Sequence, residues 1–129
     1  MEKRSNFNTP KVIRTNSAFP QAVIAGNFIF LSGTPGIDPL TGKIVSDSFE
    51  EQAVQALTNI KTVLEEAGSS LQKIVKTTIY MVSGCDSDFK IINKVYTSFF
   101  PDNAPARSAP QVMPFPGGIL ISVECIAVV

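Results

Sequence analysis

Short apolar runs of strand length alternate along this chain with two longer stretches of helical period. Residues 11–15 (Lys-Val-Ile-Arg-Thr) and 22–33 (Ala-Val-Ile-Ala-Gly-Asn-Phe-Ile-Phe-Leu-Ser-Gly) have the β-branched and aromatic content of strands. Gly26-Asn27 interrupts the second run and predicts a hairpin. Asp38-Pro39-Leu40-Thr41-Gly42 combines a side-chain acceptor, a fixed φ and a permissive glycine, which predicts a turn.

Ser48-Phe49-Glu50-Glu51 reads as a capping box, with serine at the N-cap and glutamate three residues on. Behind it Phe49, Ala53, Ala56, Leu57, Ile60, Val63, Leu64 and Ala67 recur at threes and fours, the face of a buried helix. Gly68 supplies its left-handed stop. Residues 74–82 predict a strand with Val75, Thr77, Ile79 and Met81 on one face. A second helix, capped by Asp86 or Ser87, carries the stripe Phe89, Ile92, Val95, Tyr96 and Phe99 and ends at Pro101. Residues 107–113 and 119–129 predict the last two strands, joined by the turn Pro114-Phe115-Pro116-Gly117-Gly118.

The order β-β-β-α-β-α-β-β describes an α+β domain, a mixed sheet of about six strands with two helices over one face. The final strand complicates this. Ile119, Ile121, Val123 and Ala127 alternate with Leu120, Ile126 and Val128, so it is apolar on both sides, as in strands buried on both faces. The uncovered face is therefore expected to meet another copy of the chain. No repeat or linker divides residues 1–129, which read as a single domain whose residues 1–10 form a polar N-terminal arm.

Composition removes whole classes of chemistry. Hydrophobic residues make up 44% and charged ones 17%; the charged share of ordinary domains is roughly 25%. Eleven basic and eleven acidic residues cancel, so no global field draws the chain to nucleic acid or anionic lipid. No apolar run approaches the ~20 residues of a membrane span, and the polar N-terminus has no signal-peptide core behind it. A cytoplasmic location is expected, with no membrane or nucleic-acid partner. Histidine is absent, which excludes Ser-His and Cys-His pairs and HExxH zinc sites. Phosphate-cradling glycine motifs are absent too. Cys85 and Cys125 make neither a CxxC pair nor a disulfide spacing. Cys85 sits in the polar loop Ser83-Gly84-Cys85-Asp86, and Cys125 reads as a small buried hydrophobe. Arginine, carboxylates, hydroxyls, backbone amides and water remain.

Arg107 stands out among them. After Lys94 it is the one basic side chain, and it precedes two apolar runs with only Asp102 and Glu124 as acids nearby. A guanidinium beside an apolar sheet needs an anionic partner, either from the protein or from a ligand carboxylate.

Several motifs in order resemble one family: Phe19-Pro20-Gln21-Ala22-Val23, Gly26-Asn27, Phe30-Leu31-Ser32-Gly33, Asp38-Pro39-x-Thr41-Gly42, Val75-Lys76-Thr77-Thr78, Asn93-x-x-Tyr96-x-x-Phe99-Phe100 and Pro105-Ala106-Arg107-Ser108. They look like the Rid (reactive-intermediate deaminase) proteins, also called the YjgF or endoribonuclease L-PSP family. The resemblance implies a chorismate-mutase-like α+β fold, a homotrimer around a central barrel, and clefts between subunits. It implies hydrolysis of 2-imino or 2-enamino acids to 2-oxo acids and ammonia, without metal or organic cofactor. Arg107 would hold the substrate carboxylate; Phe19, Ser32, Gly33, Asn93 and Ser108 would line the cleft.

The chain departs from the family pattern in three places. Phe19 replaces the usual tyrosine, Ser32-Gly33-Thr34 replaces Ser-Gly-Gln, and Ser122 stands where the family's water-holding glutamate is expected, Glu124 being the second acid of that strand. Ser122 and Glu124 share a face but lie roughly 6.5–7 Å apart. A trimer that binds small carboxylates without turnover is the alternative that Ser122 motivates. A ribonuclease or translation inhibitor is opposed by zero net charge and by the absence of histidine and of an interleaved basic-aromatic stripe; Lys3, Arg4, Lys11 and Arg14 read as a solvated arm.

Overall fold

The computed structural model describes residues 3–129. Its first strand is not where the pattern places it. Strand β1 is Arg4–Phe7, paired antiparallel with β2 (Ala22–Ala25). Residues 11–15 form no strand: Val12 is buried in the core from a turn. Its apolar character reflects burial, whereas the ladder edge is taken by the polar Arg-Ser-Asn-Phe, a composition suited to an exposed edge strand. The expected polar arm thus contains β1, and its residues 1 and 2 lie outside the described residues.

The predicted hairpin turns at Gly26 (φ 59°) into β3 (Phe28–Pro35). In the Asp38 turn, the carboxylate accepts the Leu40 N–H at 2.8 Å. Helix α1 (Phe49–Glu66) starts where the capping box puts it: the Ser48 hydroxyl accepts the Glu51 N–H at 3.2 Å. The return half of the box runs through Ser46, which accepts the Ser48 N–H at 3.0 Å and donates to the Glu51 carboxylate. The predicted apolar face of α1 is buried, apart from half-buried Ala67, and it also buries Gln52 and Asn59.

Strand β4 (Ile74–Val82) begins with a bulge between Ile74 and Lys76. That irregularity turns Val75 outward, so it does not share the buried face of Thr77, Ile79 and Met81. Helix α2 (Lys90–Phe99) is capped by Asp86, whose buried carboxylate accepts the N–H groups of Ile91 (3.1 Å) and Ile92 (2.8 Å). The expected strand 107–113 is divided into β5 (Ala106–Ser108) and β6 (Gln111–Val112), which flank Ala109-Pro110; proline cannot donate to a ladder. Strand β7 is Ile121–Val128. It starts after Leu120 because that N–H goes to Gln52 Oε1 at 2.8 Å.

The sheet order is β1-β2-β3-β7-β4-β5, with β6 also on β4. β7 runs antiparallel to both β3 and β4, and β4 runs parallel to β5 and β6. Helices α1 and α2 are therefore the crossovers that return the chain to parallel strands. Along β7, Ile121, Val123, Cys125 and Ala127 are buried, while Ser122, Glu124, Ile126 and Val128 are half-exposed. The second apolar side of this strand is thus uncovered within one chain. Phe28 and Phe30 stand beside it, 43% and 42% exposed.

Candidate functional site

Between the pairs Leu31–Cys125 and Thr34–Val123, two residues of β3, Ser32 and Gly33, oppose one residue of β7, Glu124. This bulge fixes the first half of the site. The Ser32 hydroxyl donates to Pro20 O at 2.8 Å, and its N–H to Gln21 O at 3.0 Å. The Gln21 amide then donates to Val12 O (2.8 Å) and Thr9 O (3.2 Å) and accepts the Thr9 N–H (2.8 Å). These bonds tie the Phe19 loop to the bulge. A niche of about 10 Å³ results, with Arg14, Phe19, Ser32 and Gly33 among its walls; that is room for about one water. Arg14 donates through Nε to Phe19 O (2.9 Å) and through Nη2 to Ser17 O (3.2 Å).

Ser122 lies against this bulge. A Cβ built on Gly33 would stand 2.8 Å from Ser122 Oγ. Ser122 and Glu124 share the face away from the helices, opposite Tyr80 and Thr78 of β4. Among the described residues Glu124 has no ion pair.

The second half sits on β5 and α2. Arg107 is the strand neighbour of buried Thr77, on the helix side of the sheet. Its guanidinium carbon is 5.0 Å above the centroid of the Tyr96 ring. The Tyr96 hydroxyl shares a 2.7 Å hydrogen bond with Thr77 Oγ1. Burial raises the Tyr96 pKa, against smaller lowering effects from Thr77 and the Arg107 charge, so the phenol stays neutral. Arg107 makes no ion pair with Asp102, Glu124 or any other described acid. Asn93 is exposed one turn before Tyr96 on α2. Ser108 alternates to the other face, where Lys76 Nζ approaches its hydroxyl at 3.4 Å and Thr78 Oγ1 at 3.2 Å.

Within one chain, then, Phe19, Ser32, Gly33, Ser122 and Glu124 gather, and Arg107 sits over Tyr96, one turn of α2 from Asn93. The two groups do not meet. Strands β3 and β5 are separated by β7 and β4, about 14 Å at roughly 4.8 Å per strand, and Arg107 projects from the opposite face to Ser122, Glu124 and Ser108. Tyr96 as a platform for Arg107 is absent from the sequence reading, which placed it in the apolar stripe; the spacing Asn93-x-x-Tyr96 was the available signal. Arg14 is exposed, as expected of a solvated arm, and also forms part of the niche wall. A larger hollow of about 210 Å³, lined by Gln72, Phe99, Phe100, Pro101, Asp102 and Asn103, contains none of the predicted site residues. Cys125 is unsuited to nucleophilic work: burial first, and the Glu124 charge second, push its thiol up to about 12.

The described residues contain no helix long and apolar enough to cross a membrane. Comparison with known proteins agrees with this architecture. The pattern of the endoribonuclease L-PSP family matches residues 9–129. A RutC family protein of Pyrococcus horikoshii is 42% identical over 120 residues, 93% of this chain and 91% of that protein. A 2-iminobutanoate/2-iminopropanoate deaminase of Rattus norvegicus is 38% identical over 125 residues, 97% of this chain and 90% of the relative. The crystal structure of E. coli TdcF with bound serine superposes with a TM-score of 0.87 at 32% identity, covering 97% of this chain and 98% of that one. The motif set, the split βαβ sheet and these relatives lead to one conclusion: the chain belongs to the endoribonuclease L-PSP family, the Rid or YjgF proteins.

Proposed function

We propose that this protein is a cytoplasmic homotrimer that hydrolyses 2-imino or 2-enamino acids to 2-oxo acids and ammonia. The observation that carries the reading is Arg107: a half-buried guanidinium without a carboxylate partner among the described residues, set on an aromatic face at the sheet edge. It is a bidentate receptor for a small carboxylate. The niche of about 10 Å³ beside Phe19 is too small for such an acid. A second copy would supply the other wall, bringing its Phe19–Ser32–Gly33 half to the β5 edge of its neighbour, where Arg107 and Asn93 lie on one face and Ser108 on the other, with the apolar face around Phe28 and Phe30 covered in the same assembly. The deaminase name of the rat relative and the serine bound in TdcF support a small amino-acid-derived ligand.

The chemistry asks little of the chain. Water adds to the iminium carbon, the nitrogen takes a proton, and the C–N bond breaks to leave a 2-oxo acid and ammonium. Arg107 orients the substrate and withdraws electrons through its carboxylate; the bulge at Ser32-Gly33 and the hydroxyl of Ser122 line the path of the water. To test this, 2-iminopropanoate is generated by an amino-acid oxidase and oxo-acid release is followed. Acceleration by the wild type and its loss in Arg107→Ala are expected; equal acceleration by both proteins refutes the role of Arg107.

Ser122 favours a second reading, a trimer that binds small carboxylates without turning them over. It predicts that pyruvate stabilises the protein through Arg107 while hydrolysis is absent, and that Ser122→Glu introduces turnover. The ribonuclease activity in the family's description is a weaker fit, because net charge is zero and no histidine is available for phosphodiester cleavage.

A further inference from the structure

The niche beside Phe19 has a cation that the proposed reaction does not use. Arg14 forms part of its wall together with Phe19, Ser32 and Gly33. The Arg14 side chain is exposed, and two neutral acceptors orient its guanidinium, Phe19 O on Nε and Ser17 O on Nη2. Two of its five N–H donors are thereby used, and its charge is met by no carboxylate among the described residues. Lys11, the other cation of this segment, is already paired with Glu66 at 3.0 Å.

We infer that Arg14 is a specificity-determining residue that selects dicarboxylic substrates, 2-imino acids with a second carboxylate at the far end of the side chain. The inference rests on the proposed inter-subunit site. Joining the Phe19 half of one copy to the Arg107 half of the next puts two guanidiniums in one cleft with the single carboxylate of Glu124, which leaves the cleft net positive. A monocarboxylate engages Arg107 and leaves Arg14 without a ligand carboxylate, whereas a dicarboxylate reaches both. Arg107 takes the carboxylate next to the reacting carbon, and Arg14, oriented by its two carbonyls, takes the distal one.

Two oxo acids of equal chain length test this by thermal denaturation of the full chain at fixed ionic strength: 2-oxoglutarate, and 2-oxopentanoate, which lacks the second carboxylate. The expected result is at least about tenfold tighter apparent binding of 2-oxoglutarate. Arg14→Gln, which removes the charge and keeps an amide donor, should erase that preference, and Arg14→Lys should retain part of it. Equal stabilisation by the two acids, no stabilisation by either, or a preference that survives Arg14→Gln overturns the inference. Failure of the deaminase reading looks different: the charge-dependent preference persists while no imine, mono- or dicarboxylic, is hydrolysed faster than in buffer.

Discussion

The Arg107 guanidinium rests 5.0 Å above the ring of Tyr96, whose hydroxyl is hydrogen-bonded to Thr77 Oγ1 at 2.7 Å. Helix α2 thus reaches through one side chain to both the edge strand β5 and the buried face of β4. The cation is positioned by packing and quadrupole attraction, which leaves its forked donors for a ligand.

Tyr96→Phe and Tyr96→Leu separate these two duties. Phenylalanine keeps the platform and leaves the buried Thr77 hydroxyl without its partner, so a stability loss of about 1–2 kcal/mol is expected in urea unfolding. Leucine also removes the platform. Pyruvate-induced stabilisation should weaken several-fold in Tyr96→Leu and stay near wild type in Tyr96→Phe, read from the ligand-dependent shift in Tm.

Gly33→Ala sets a methyl group 2.8 Å from Ser122 Oγ. The Gly33 backbone lies outside the positive-φ region, so the cost is the clash alone, about 1 kcal/mol of overpacking. Ser122→Ala removes the obstructing oxygen, and in that background Gly33→Ala should be close to neutral. A double-mutant cycle showing additive effects would contradict the contact.

Gln52 holds three backbone groups of two loops. Its amide donates to Ser46 O (2.8 Å) and Gly118 O (3.1 Å), and its carbonyl accepts the Leu120 N–H (2.8 Å). Gln52→Leu keeps the volume and orphans all three, at an expected cost of about 3 kcal/mol. Amide exchange at Leu120, two residues before Ser122, should quicken more than in the middle of β4.

The Cys125 thiol, raised by burial and the Glu124 charge from its ordinary 9.0 to about 12, keeps its proton in the folded chain at pH values where the unfolded chain has lost it. Unfolding then releases a proton, so stability is full below about pH 9 and declines as pH rises toward 12. Cys125→Ala should flatten that decline in a pH series of urea unfolding curves. Tyr96, whose pKa burial also raises, adds to the same alkaline loss.

Local chemistry determined much of this protein by itself. Helix α1 is announced by a cap, a 3.6-residue stripe and a stop, all within contact range along the chain, and its start at Phe49 and end near Gly68 follow. The Gly26 hairpin and the Asp38 turn are legible for the same reason, as is Arg107 as a cation short of acids.

What depends on a distant partner was decided only in three dimensions. Arg4–Phe7, not residues 11–15, became the edge strand because pairing with β2 is a matter of register, whereas Val12 answers only to burial. The bulge beside Val75, the break at Ala109-Pro110 and the opposite faces of Arg107 and Ser122 likewise follow from how β4 meets its neighbours. A period of two says which residues share a side; which side holds the helices is set by the whole sheet, and that choice divides the candidate site into two halves.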